Sequence, residues 1–173
     1  MDTIRKLKDM GFIITWKLIE IGLFGRDEIP VLLWKEDVLE YLDYLLSDIN
    51  DQNDVAIELI CNKEEPERFN NIIKRLAANE KSDVMIQKRK WRAYMVKSLI
   101  DNKNSDFLEV LIDLEIFWIN IMHWPDDCPL SFPINSKDVL DYYCKSTYDM
   151  CIEKSMIWLK KEISTIIDME CNY

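Results

Sequence analysis

His123 is the only histidine in the chain, and it sits among Trp124, Asp126, Asp127 and Cys128. Imidazole, thiolate and carboxylate are the groups that bind zinc, and a Cys–His pair can act as an activated nucleophile. Both chemistries need more than proximity in sequence. A structural zinc site takes about four ligands converging on one point, and a nucleophilic cysteine needs a base delivered by the fold. Neighbours in one loop rarely aim at a common centre, so His123 is expected to be a structural histidine with satisfied hydrogen bonds. Two carboxylate pairs, Glu36/Glu40 and Glu109/Asp113, have the four-residue spacing that puts both members on one helix face. Helical dimetal sites add Glu-x-x-His repeats to such pairs, and this chain has none. The three glycines, Gly11, Gly22 and Gly25, cannot build a phosphate loop or a dinucleotide fingerprint, which need clustered glycines for backbone N–H groups to approach phosphate. The residues therefore predict no enzyme, no cofactor and no metal.

The elements that position these side chains follow from composition and periodicity. The chain has 173 residues, a length that suits one domain. Of these, 49% are apolar and 11% aromatic, ample for a core. Three glycines leave little material for hairpin turns. The expected fold is all-α, a single-domain irregular bundle of about six to eight helices. Thr15 is a candidate N-cap for a helix through Leu23, with Gly22 and Gly25 near its end. The apolar stretch Phe12–Phe24 carries Lys17 and Glu20 and is too short to span a bilayer, so it reads as a core helix. Residues 26–34 read as extended around Pro30. From Lys35, Val38, Leu42, Leu45 and Ile49 recur at helical spacing, with Glu36, Glu40, Asp43 and Asp51 opposite. A short helix is predicted over Asp54–Cys61, and Pro66 opens another to Asn79.

Val84 or Met85 to Ile100 is helical by its Trp91, Met95 and Leu99 stripe. Asn104 or Ser105 should cap a helix to about Met122, apolar almost all round, which Trp124-Pro125 terminates. Asn135 or Ser136 should cap a last helical region to about Met169, with a break near Ser146–Asp149. The five cysteines form no CxxC pair and follow no secretory signal, so reduced, buried thiols in the cytoplasm are expected. Cys144 and Cys151, seven apart, would share a face of one continuous helix.

Charge is strongly biased. The net charge is -10, from 32 acidic and 22 basic residues. Phosphate backbones repel such a surface, whereas basic proteins are attracted to it. Residues 35–65 hold ten acids and two bases, and residues 66–103 hold ten bases and four acids. Either the two segments neutralise each other, or the acidic helix faces solvent and docks a basic protein. On the second reading Glu36, Asp37, Glu40, Asp43 and Asp51 supply the field, and Trp34 and Trp124 are the candidate anchors.

Several short motifs carry a family resemblance: KRKW at 88–91, FWINI at 117–121, WPDD at 124–127 followed by Phe132-Pro133, and EDVLEYL at 36–42. The chain resembles a family of uncharacterised small bacterial proteins found among the immunity proteins of polymorphic toxin systems. The resemblance implies a cytosolic protein that neutralises a cognate toxin by covering its active surface; it carries over no individual functional residue. The expected partner is a protein, a basic toxin domain, with no nucleic acid and no membrane, the chain itself being a monomer or weak homodimer. Two alternatives stand beside it. A structural adaptor or homodimer would expose an apolar patch along Ile152–Ile166. A small-ligand-binding helical domain would have a cavity lined by His123, Asp126 and Cys128.

Overall fold

A computed structural model describes residues 2–47, 54–102, 106–123, 125–131 and 142–171. The fold is all-α. In chain order the helices are α1 (Asp2–Asp9), α2 (Trp16–Phe24), α3 (Lys35–Ser47), α4 (Asp54–Cys61), α5 (Pro66–Asn79), α6 (Val84–Asp101), α7 (Phe107–Glu115), a π-helical segment (Ile116–Ile121) and α8 (Lys145–Cys171). Among the described residues the β structure amounts to one isolated bridge, Arg26 to Ile29. No helix among them is long and apolar enough to cross a membrane. The chain divides into two compact units, Met1–Trp91 with Met169–Tyr173, and Arg92–Asp168.

The first unit is organised around α2, which packs on α5. Thr15 caps α2 as its residue type predicts: its side chain accepts the Leu18 N–H at 3.0 Å. The Glu80 carboxylate, just past the end of α5, accepts the Lys17 N–H at 2.9 Å and satisfies another early amide of α2. Gly25 ends the helix at φ 69°, donating its N–H to the Ile21 carbonyl. Pro66 opens α5, and Phe69, Ile72, Ile73 and Ala77 form its buried stripe.

Gly22 is where the unit is tightest. The Gly22 carbonyl accepts N–H bonds from Leu32 (2.8 Å) and Leu33 (2.9 Å), which lays the extended segment along α2. The Trp91 indole, fully buried, donates to the Leu18 carbonyl at 2.9 Å. A Cβ at Gly22 would lie 2.3 Å from Trp91 Cζ2 and 2.8 Å from Leu33 Cδ1. Alanine is the better helix former by about 1 kcal/mol, but the tethered indole has nowhere to go. Gly22→Ala should therefore lower stability by about 1–3 kcal/mol. Urea unfolding checks this: the midpoint should fall with an unchanged slope, and an equal or higher midpoint would show that the contact yields.

In the second unit, α7 does not continue as an α-helix to Met122. It passes at Ile116 into a π-helical turn, closed by the Met122 N–H to the Phe117 carbonyl at 2.9 Å. The extra residue in the turn rotates the chain so that the adjacent aromatics Phe117 and Trp118 are both buried. Their rings meet edge to face at 4.8 Å, and Trp118 meets Trp158 at 5.1 Å. His123 follows at φ 52°.

The break expected near Ser146–Asp149 is absent, since α8 runs unbroken for 27 residues from Lys145. A Lys145–Asp149 pair at 2.8 Å spans that stretch, and the chain bends at Tyr143–Cys144, immediately before it. Cys144 therefore precedes α8 and does not share a continuous helix with Cys151. Burial of the thiols also differs from expectation: Cys151 is buried, Cys61 and Cys171 are exposed, and Cys128 and Cys144 are intermediate. Serine and threonine hydroxyls at residues 146 and 147 bond the Cys144 sulfur and bring its pKa down to about 7. The caps expected at Asn104, Ser105, Asn135 and Ser136 lie outside the described residues, as does Ile49.

Candidate protein-docking face

The first turn of α3 presents the candidate site. Trp34 stands at its N-cap: the Trp34 carbonyl accepts N–H bonds from Asp37 (3.1 Å) and Val38 (3.4 Å). Asp37 returns the contact, its carboxylate accepting the Trp34 N–H at 2.9 Å. This is the reciprocal half of a capping box, in which the third helical residue reaches back to the cap amide. Asp37, expected to address a partner, is thus engaged in holding the start of α3. Glu36 and Asp37 in the first turn also favour the positive end of the helix dipole.

The helix has two contrasting faces. Val38 and Leu42 are fully buried, and α3 packs against α1 and α4. Glu36, Glu40 and Asp43, at spacings of four and three, are exposed on the other side. At the head of this stripe the Trp34 side chain is 72% exposed, the most exposed large apolar residue among those described. Val31, three residues before it, is 51% exposed. Asp51 and Trp124, the remaining sequence candidates, lie outside the described residues.

The segregated charges are only partly consumed within the fold. Arg75 on α5 grips Glu58 on α4 through both carboxylate oxygens, at 2.7 and 2.6 Å. Lys88 on α6 binds Glu28 at 2.7 Å and Asp27 at 3.2 Å. Lys35 donates to the Lys63 carbonyl. Glu36 and Asp43 have no ion pair among the described residues, so the field of α3 extends into solvent.

The elbow after the π-helical turn has another job. Asp127 of the WPDD motif binds both terminal nitrogens of Arg92, at 3.1 and 2.6 Å. Arg92 also reaches Glu162 at 3.0 Å and lies over the Trp158 ring, whose Nε1 donates to Asp127 at 3.2 Å. This bidentate, ring-stacked arginine ties the elbow to α6 and α8 within the second unit. His123 and Asp126 are exposed beside it, and the Cys128 thiol, pushed up by burial, points to the Leu130 carbonyl at 3.6 Å. Among the described residues no group of three or more His, Cys, Asp or Glu side chains is placed to hold a metal. The role of Asp127 is not legible in the sequence, because Arg92 and Glu162 lie 35 residues away in either direction.

No curated protein and no solved structure matches the chain. A family model does match, and it spans both the α3 face and the Arg92–Asp127–Glu162 network. The chain belongs to the family described as "Uncharacterized protein conserved in bacteria (DUF2247)", matched over residues 4–163.

Proposed function

We propose that this chain is a non-enzymatic acidic binding protein that docks a basic protein on the exposed face of α3. The partner is a cognate bacterial toxin domain, and the chain is its immunity protein, acting by occlusion in the cytoplasm. Trp34 carries the reading: a tryptophan left 72% in water forgoes a large burial energy that a partner surface would recover. Glu36, Glu40 and Asp43 supply the complementary field that accelerates encounter with a basic surface. Membership of a bacterial family and five unpaired thiols suit a reducing cytosol.

The test is co-expression with the product of the neighbouring upstream gene. Rescue of growth and a stable co-purified complex are expected; no rescue and no complex would overturn the pairing. Within a complex, the double reversal Glu40→Lys, Asp43→Lys should slow association about tenfold or more at low salt, with the difference shrinking as salt is added. A second reading, pairing of two copies through α8, draws on Met156 (44% exposed) and Ile157 (63% exposed). Ile152 and Ile163 are only half-buried and Ile166 is buried. A concentration-dependent dimer in analytical ultracentrifugation, abolished by Ile157→Lys, would favour that reading.

A further inference from the structure

On the side of α3 next to the acidic stripe, a cavity of about 320 Å³ opens against α1. Its walls are Ile4, Arg5, Lys8 and Asp9 from α1, and Tyr41 and Tyr44 from α3. That volume lies at the small end of the range for ligand pockets, and the lining is mostly apolar with a few polar groups, as such pockets usually are. The charges on its rim run against those of the protein. Arg5 and Lys8 outweigh Asp9 by one positive charge in a chain of net charge -10. Arg5 is exposed and has no ion pair among the described residues, despite the surplus of carboxylates. Lys8 rests over the Tyr44 ring with its Nζ 4.0 Å from the centroid, which anchors the ammonium by its aromatic contact and leaves its N–H groups available to an anion.

We propose that this cavity binds a small monocyclic aromatic carboxylate. The ring lies against Tyr41 and Tyr44, where offset or edge-to-face contact with a second aromatic is favourable. The carboxylate is held by the fork of Arg5 and the ammonium of Lys8. A planar carboxylate matches the guanidinium geometry, and its single negative charge balances the single surplus positive charge of the rim. The volume admits one ring with a short side chain. The proposal is independent of the docking reading, because Trp34 and the exposed carboxylates of α3 take no part in it.

Calorimetry and ligand-observed NMR with 4-hydroxyphenylacetate test it, using tyramine and acetate as controls. Tyramine keeps the ring and replaces the anion by a cation; acetate keeps the anion and lacks the ring. Saturable binding of 4-hydroxyphenylacetate is expected, with both controls at least about tenfold weaker. Arg5→Gln, a change at an exposed position, should weaken binding about tenfold or more while leaving the circular dichroism spectrum unchanged. Tyr44→Leu should weaken it as well, by removing both the ring contact and the anchor of the Lys8 ammonium. No saturable binding at millimolar ligand, equal binding of tyramine, or an Arg5→Gln protein that binds as well as the parent would overturn the proposal.

Discussion

Lys90→Met will destabilise the protein by about 3–5 kcal/mol, although it exchanges a charged side chain for an apolar one of similar length. The Lys90 side chain is wholly buried, and its ammonium pairs with Glu170, itself 9% exposed. The ammonium also donates to the Ile13 carbonyl at 2.7 Å, and Glu170 accepts the Ile13 N–H at 3.4 Å. One cation thus holds the C-terminal end of α8 to the segment before α2. Removing it strands a buried carboxylate and a carbonyl, and the desolvation of both goes uncompensated. The double variant Lys90→Met, Glu170→Leu removes both charges together and should recover most of the loss. Guanidinium unfolding of the parent, both single variants and the double variant measures the cycle; equal costs that add would show that the pair is not coupled.

The same pair sets a pH dependence. Burial is the largest influence on Lys90 and pulls its pKa below the usual 10.5, with Glu170 pulling it part of the way back. The unfolded chain therefore holds this proton more tightly than the folded one. The penalty is complete at pH values below the folded pKa and is relieved as pH rises from there to 10.5. The stability of the parent relative to the double variant should accordingly be lowest near neutral pH and rise toward pH 10.5.

What could be read from the sequence was what local physics decides. The Thr15 cap, the helix Asp54–Cys61 and the helix opened by Pro66 occur at the expected residues, because capping hydroxyls, proline geometry and a 3.6-residue stripe act within one or two turns. The π-helical turn is not legible locally: Trp118, which it carries, packs on Trp158, 40 positions later in the chain. Lys90 sits in a basic run that reads as a solvated face, yet its partner Glu170 is 80 residues away and removes it from solvent. The candidate face divides the same way. The spacing of Glu36, Glu40 and Asp43 put them on one side of a helix, but whether that side met α1, α4 or water depended on tertiary packing. Asp37 does carry a local signal: an acid three residues after the cap position is the spacing of a capping box.

Trp34→Ala will cost the complex about 2–4 kcal/mol, roughly 30- to 1000-fold in Kd, while leaving the free protein within about 0.5 kcal/mol of the parent. The two halves of that expectation have different origins. Stability is preserved because the contribution of Trp34 to α3 is made by its backbone: its carbonyl and N–H complete the cap with Asp37 and Val38, and alanine keeps both groups. The exposed indole touches too little of the fold to be missed. Affinity is lost because an aromatic already in water pays no unfolding penalty on docking and can bury most of its surface against the partner. Trp34→Phe, which keeps the ring and loses the indole N–H, should retain the larger part of the affinity. Asp37→Ala separates the two roles, since it removes the carboxylate that holds the cap and should lower stability by about 0.5–2 kcal/mol with the indole still in place. Surface plasmon resonance against the co-purified partner, with unfolding curves on the same preparations, reads both. A Trp34→Ala protein that binds as tightly as the parent would move the docking surface off α3.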